Sequence, residues 1–298
     1  MRSTLSTHAL AVAAGVVGDR VFGEPDVDPH PVSAFGDAMA RLENVLYRPR
    51  RTAGVLHAAA GLGLGVGAGV VVRSTALATY ISVAQRALGD AALEVAAALR
   101  ADDLPGARAL LPTLVGRDPR QLAGPEISRA VVESVAENTV DAVVAPAFCG
   151  LIGGAPGALG YRAVNTMDAT VGHHNDRYED YGWASARLDD VANFVPARLT
   201  AALVVAVRPR AARDVWRAVR HDAPSHPSPN AGVAEAAFAA ALGLRLGGLN
   251  RYGSRSERRP QLGAGRVPDV ADIAAAVTLC RDVTYGLVAS LLVLARVA

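Results

Sequence analysis

Residues 53–72 read AGVLHAAAGLGLGVGAGVVV, a run of 20 residues without one Asp, Glu, Lys or Arg. That is the length an α-helix needs to cross bilayer hydrocarbon, about 20 apolar residues. Glycines stand at 61, 63, 65, 67 and 69. They lower helix propensity in water but let two helices approach closely in lipid. This stretch therefore points to a chain that lives in a membrane.

Working outward, four further stretches share its character. Residues 142–161 carry no charge but hold Pro146, Gly153-Gly154 and Pro156. The spacing predicts a broken or re-entrant helix pair rather than a straight span. Residues 195–207 are interrupted only by Arg198, and Arg296 ends the run 283–294. Residues 7–17 are short and follow Arg2, the layout of a signal-peptide core, yet Gly18-Asp19-Arg20 after them reads as site chemistry. Residues 74–84 are moderately apolar and return part-way.

Composition agrees. The chain has 298 residues, 51% hydrophobic and 19% charged, with a mean hydropathy of +0.23. Soluble proteins average about 25% charge. A disordered chain and a disulfide scaffold are both excluded. The apolar mass is Ala, Val, Leu and Gly, and 3.6-residue periodicity dominates, so few strands are expected. The expected fold is all-α: a polytopic integral membrane protein with about four to six membrane segments, forming one domain over residues 1–298. A net charge of +2 gives no argument for nucleic acid. All 30 basic residues are arginine, which excludes a Walker A lysine and a Schiff-base lysine. Cys149 and Cys280 sit in apolar surroundings and read as small buried hydrophobes.

Chemistry concentrates between the apolar stretches. In RAVVESVAENTVD (residues 129–141), Glu133, Glu137 and Asp141 stand at i, i+4 and i+8. On a helix they share one face over about 12 Å, and like charges so placed call for a divalent cation or arginines; a solvated face is the plainer alternative. In residues 165–200, Asn165 and Asp168 lie at i,i+3, and a polar loop with Arg177 follows. Arg187, Asp190 and Phe194 then share one helix face, with Asp189 and Asn193 beside it. Paired carboxylates suit Mg²⁺ with substrate phosphates, and arginines suit phosphate oxygens. The alternative is an internal Arg–Asp network.

The histidines do not assemble a zinc set: His173-His174 are adjacent, His221 and His226 lie in HDAPSHPSPNAG, and no HExxH occurs. Ser228-Pro229 reads as an N-cap and first helical position, with a helix from Asn230 to about Leu244. A helix N-terminus there suits an anion. LGGLNRYG (residues 246–253) offers Asn250 and Arg251 as a phosphate cradle. His30, held extended before Pro31, is placed to present its ring to a site.

Taken together, GDRVFGEPDVDPHPV, VGRDPRQL, RAVVESVAENTVDAVVAPAF, IGGAPGAL, YRAVNTMDATVG, YGWASARLDDVANFVPARLT, HDAPSHPSPNAG and ALGLRLGGLNRYG resemble the CobD/CbiB family, the adenosylcobinamide-phosphate synthases, in order and spacing over nearly the whole chain. His173 and His174 stand where the family often has basic residues. The resemblance implies an integral membrane enzyme that joins adenosylcobyric acid to (R)-1-amino-2-propanol or its O-phosphate, with ATP and Mg²⁺. Partners would be those substrates, the lipid bilayer and other corrinoid-pathway enzymes. An unactivated carboxylate is a poor electrophile, so ATP would convert it to an acyl phosphate that the amine attacks. That needs a metal on the phosphates, cations on the moving charge and a base for the ammonium.

The expected catalytic residues are Glu133, Glu137, Asn138, Arg187 and Asp190. Substrate or phosphate binding falls to His30, Arg162, Asn165, Arg177, His221, Asn230, Asn250 and Arg251. Metal ligation falls to Glu133, Glu137, Asp141, Asp168 and Asp190. Arginines 208, 210, 213, 217 and 220 favour the cytoplasm for the last polar segment. The expected location is the cell membrane, multi-pass, with Glu137, Asp190 and His221 all facing the cytoplasm. The competing reading is a non-catalytic scaffold or signalling protein of the AmpE type. A transporter would want inverted repeats, and none is visible.

Overall fold

The computed structural model describes residues 3–298 apart from Asp26, Arg117, His174, Gly253 and Ser254; the side chains of residues 250–257 also lie outside the description. Twelve α-helices occur among the described residues: α1 Thr4–Phe22, α2 Pro31–Leu46, α3 Arg51–Val72, α4 Thr75–Ser82, α5 Gln85–Arg100, α6 Leu104–Leu110, α7 Gly124–Thr139, α8 Ala145–Val171, α9 Trp183–Val207, α10 Ala212–His221, α11 Ala231–Leu242 and α12 Val270–Val297. Strands β1 Leu246–Tyr252 and β2 Arg255–Leu262 form an antiparallel pair. Among the described residues four stretches are long and apolar enough to cross a membrane: α3, residues 124–171, α9 and α12. The chain is thus an all-α polytopic membrane protein.

Two compact units alternate along the sequence. The first holds the chain up to Ala84, Asp141–Pro196 and Val288–Ala298; the second holds Gln85–Val140 and Ala197–Leu287.

In the first unit α3 lies along α8. Ideal Cβ atoms built on the buried Gly61, Gly65 and Gly69 would run into Met167, Ala163 with the Leu159 carbonyl, and Pro156 respectively. The order of those partners is antiparallel. Gly63 and Gly67 meet nothing within 4 Å and face outward. The expected close approach thus uses the three glycines spaced four apart, one helical face. Apolar packing continues through Met39, Val164 and Met167, and through Ala78, Ala155 and Ala158.

The broken helix is observed in α8. Gly154 takes φ 61° and ψ −147°, which reverses the chain ahead of Pro156. In a straight helix residues 149 and 157 would be about 12 Å apart, yet a Cβ on Gly157 would meet the Cys149 carbonyl. Upstream of the break, α7 and a π-helical turn at Val140–Val144 continue into the same helical rod, so residues 124–153 run without interruption; downstream the helix resumes at Ala155 and ends at Val171. Polar partners are built in around the break. His8 Nδ1 lies 3.1 Å from the Leu151 carbonyl oxygen, and Ser82 Oγ donates to Ala158 O at 3.3 Å.

In the second unit the core includes Leu111, Ile127, Phe238, Leu244, Leu246, Leu262, Ile273 and Leu279. α11 begins at Ala231 with Asn230 as its N-cap, so Ser228 and Pro229 lie just ahead of the helix instead of at its N-cap and first position; Ser228 Oγ still accepts from the N–H groups of Asn230 and Ala231 at 3.3 and 3.1 Å. α11 ends at Gly243 in the left-handed conformation, a few residues before Gly247-Gly248. In the LGGLNRYG segment, read from sequence only as a candidate phosphate cradle, residues 246–252 are strand β1, with Gly248 opposite Arg259 and Leu249 opposite Arg258. The pattern hid this because β2, RSERRPQL, has neither alternation nor β-branched residues.

Candidate functional site

The carboxylate row is not one continuous α-helical face. Glu133 and Glu137 lie on α7, but Asp141 lies in a π-helical turn, Val140–Val144. Wider i→i+5 bonding there changes the angular step per residue. Glu137 is exposed and Asp141 half-buried. Because the chain reverses at Gly154, Asp141 comes level with the return arm of α8. Its carboxylate interacts electrostatically with both Tyr161 and Arg162.

That arm and the start of α9 hold a chain of polar contacts within the first unit. Tyr161 Oη donates to Asn193 Oδ1 at 2.9 Å, and Asn193 Nδ2 donates to Asp189 Oδ2 at 2.9 Å. Asn165 Nδ2 reaches Asp189 Oδ1 at 3.5 Å, and Arg162 Nη1 reaches Asn165 Oδ1 at 3.4 Å. Arg162 Nε is buried and has no hydrogen-bond partner. A buried donor without a partner costs about 1–3 kcal/mol, so a guanidinium held this way is suited to an anion. The charges facing it are Asp141 and Glu24.

The cluster joins Asp141, Arg162 and Asn165 from the expected site and adds Tyr161, Asp189 and Asn193. The i,i+4 spacing of Asp189 and Asn193 was the available signal. Arg187 and Asp190 pair with each other at 3.2 Å, and Arg187 is exposed. Asp168 is half-buried near the end of α8.

Arg177 is a clamp. It donates to Glu43 Oε1 at 2.8 Å and stacks over the Tyr47 ring at 4.2 Å. The hydrogen bond from Arg177 to Glu43 raises the guanidinium pKa further, helped by Tyr178. Burial pushes the neighbouring Tyr181 phenol up, with Glu43 adding to it. His30 caps α2: its Nδ1 accepts from Val32 N–H at 3.3 Å, while its Nε2 is buried without a hydrogen-bond partner.

In the second unit, Glu133 and Arg129 pin strand β1. Arg129 donates to the carbonyls of Gly247 and, at 2.9 Å, Leu249. Glu133 Oε1 accepts from Gly247 N–H at 2.7 Å. Asn138 Nδ2 donates to its own helix at Ser134 O, 2.9 Å. His221 is exposed at the end of α10. Asn230 is buried and accepts from Arg198 Nη1 at 2.9 Å. The side chains of Asn250 and Arg251 lie outside the described residues. Among the described residues no three His, Cys, Asp or Glu side chains form a ready-made metal cage. Mg²⁺ does not require one, since it is held by one or two carboxylates with water and phosphate oxygens.

A family profile described as CobD/Cbib protein matches residues 12–280. The chain is 47% identical over 297 residues to the cobalamin biosynthesis protein CobD of Mycobacterium tuberculosis, covering 95% of each chain. It is 42% identical to the protein of that name from Rhodobacter capsulatus, over 93% of this chain and 94% of the relative. It is 38% identical to the one from Halalkalibacterium halodurans, over 97% of each. No solved structure matches. With both the profile and these identities running through nearly all of its length, the chain belongs to the CobD/CbiB family.

Proposed function

We propose that this chain acts in cobalamin biosynthesis as an ATP-dependent ligase, joining adenosylcobyric acid to (R)-1-amino-2-propanol or its O-phosphate. Family membership supports the pathway. The observation that carries the chemistry is the Arg162 Nε, a buried donor without a partner on the return arm of α8 after the break at Gly154. It offers a fixed positive charge to a carboxylate or phosphate.

In this reading the substrate carboxylate attacks the terminal phosphorus of ATP. An acyl phosphate forms and ADP leaves. The amine then attacks the acyl carbon, and inorganic phosphate departs as the amide forms. The ammonium proton must first pass to a base. Arg162 orients the anion, Asn165 and the Asp189–Asn193 pair hold Arg162 and Tyr161 in place, and a nearby carboxylate takes the proton. Asp141, which stands in electrostatic range of Arg162, is the first carboxylate to test as a Mg²⁺ ligand; Asp168, Asp190, Glu133 and Glu137 are the others. Mg²⁺ would screen the phosphate charge.

The test uses purified protein in nanodiscs with ATP, Mg²⁺, adenosylcobyric acid and either amine. Mass spectrometry should find the amide product and ADP together, and ¹⁸O from the corrinoid carboxylate should appear in phosphate. Arg162→Lys keeps the charge but loses the planar fork, and should lower turnover sharply. Absence of product with both amines, or product formed equally well without ATP, overturns the proposal.

A further inference from the structure

The second unit holds a cavity of about 340 Å³ whose lining includes Arg198, Val219, Ala223, His226, Pro229 and Val233. It lies in the HDAPSHPSPNAG segment, against α10 and the start of α11. The proposed chemistry does not use it. From its charge, size and lining we infer that this cavity is a binding site for a small phosphate-bearing ligand held by Arg198.

Arg198 is the one charge that interrupts the apolar run 195–207, and an ionisable side chain in such a run marks function more often than not. Its guanidinium is held from two sides. Nη1 donates to Asn230 Oδ1 at 2.9 Å and Nη2 to Pro229 O at 3.1 Å. Those bonds fix the plane of the fork, so little freedom is lost when an anion docks on it.

His226 forms a neutral part of the wall. Arg259 Nη1 lies 2.8 Å from His226 Nε2. A guanidinium only donates, so Nε2 is the acceptor and the ring proton sits on Nδ1. Nδ1 lies 3.1 Å from both the carbonyl oxygen and the N–H of Ser228, and in this tautomer it serves the carbonyl. Glu235, with its carboxylate 3.6 Å from Nε2, stands on the same side of the ring as Arg259. The lining itself therefore presents a cation and no anion. The remaining walls are valine, alanine and proline, which suit a short aliphatic body. The volume is near the lower end of ligand pockets, roughly 300–1,000 Å³, and far too small for a corrinoid ring.

Two sources supply such a ligand: a phosphorylated amino alcohol, or the terminal phosphate of a nucleotide. Their naming rests on the proposed function; binding of phosphate does not. The first measurement is therefore the thermal unfolding of the detergent-solubilised protein with inorganic phosphate against chloride of equal ionic strength. Phosphate should raise the midpoint of the wild type and not of Arg198→Gln. Because Arg198 also braces Asn230, Val219→Phe fills the cavity without removing any of those hydrogen bonds, and it should abolish the phosphate effect too.

In the synthase assay the KM of one phosphorylated substrate should rise roughly 10- to 100-fold in Arg198→Gln, the loss expected for one charge-assisted pair. A rise for the phosphorylated amine, with ATP and the unphosphorylated amine unchanged, identifies the amine as the source; a rise for ATP alone identifies the nucleotide. Phosphate binding without any synthase activity would leave the inference standing while the proposed function falls. A midpoint no higher in phosphate than in chloride, or a phosphate effect undiminished in Val219→Phe, overturns the inference.

Discussion

Gly154→Ala tests the reversal in α8. Gly154 has φ 61° and ψ −147°, a region open essentially to glycine, and placing a side chain there costs of order 1–3 kcal/mol. The added Cβ would also stand 3.1 Å from His8 Nε2 and 3.3 Å from Thr75 Oγ1. His8 cannot swing aside freely, because its Nδ1 is engaged with Leu151 O at 3.1 Å; losing that bond adds about 1 kcal/mol. The sum is about 2–4 kcal/mol. For a chain of this size each kcal/mol moves the unfolding midpoint by about 2 °C, so a drop of roughly 4–8 °C is expected. Gly153→Ala is the matched control: its Cβ meets nothing within 4 Å, and helix propensity favours alanine by up to about 1 kcal/mol. Both variants are melted side by side in the same mild detergent. If Gly154→Ala unfolds within about a degree of Gly153→Ala, the chain does not reverse at that residue and the two-arm description of α8 is wrong.

The other predictions concern packing, chemistry and topology. Gly65→Ala should destabilise by roughly 1–3 kcal/mol, because its Cβ would lie 2.6 Å from Ala163 Cβ and 2.8 Å from Leu159 O, whereas Gly67→Ala should be neutral; equal melting of the two would deny the close α3–α8 contact. Glu137→Gln should abolish ATP-dependent condensation while the protein stays folded, and full activity with unchanged Mg²⁺ dependence would remove Glu137 from the metal site. Arg187→Lys should damage turnover if the fork meets an anion; near-normal turnover would leave Arg187 only its exposed pair with Asp190. Single cysteines at the exposed positions Glu137, Arg187 and His221, with Cys149 and Cys280 replaced, should all label from the cytoplasmic side, and labelling of any two from opposite sides would sink the proposed topology.

How far the sequence could be read followed from the kind of signal. Composition located α3 within two residues of its observed start, because an uncharged run of that length has few other uses. The glycine pair and Pro156 located the break in α8, because backbone chemistry marks it directly. The π-helical turn at 140–144 was invisible, since VDAVV reads like any apolar helix. So was β1–β2, where arginines and a proline replace the usual strand residues. At the candidate site, counting charges favoured the face of Arg187 and Asp190. The structure instead turns Asp189 and Asn193 toward Tyr161 and Asn165. A helix sequence shows which residues share a face, but not which face is inward when both are polar. The contacts of Arg177 were hidden for a related reason: Glu43 and Tyr47 lie far away in sequence, on and just after α2, so they show only in three dimensions.

The hairpin at Gly154 also bears on how the protein is made. The helix breaks at Gly154, and the backbone groups near that break need partners that lipid does not supply. Here they come from His8 and Ser82, while the glycine face of α3 covers the return arm. α1, α3 and α4, which carry those groups, all precede α8 in the chain. The ribosome delivers N-terminal segments first, so the cradle exists before the hairpin emerges. Moving these helices to the C-terminal end by circular permutation would leave the hairpin waiting for them, exposed to the quality-control machinery that clears unassembled membrane segments.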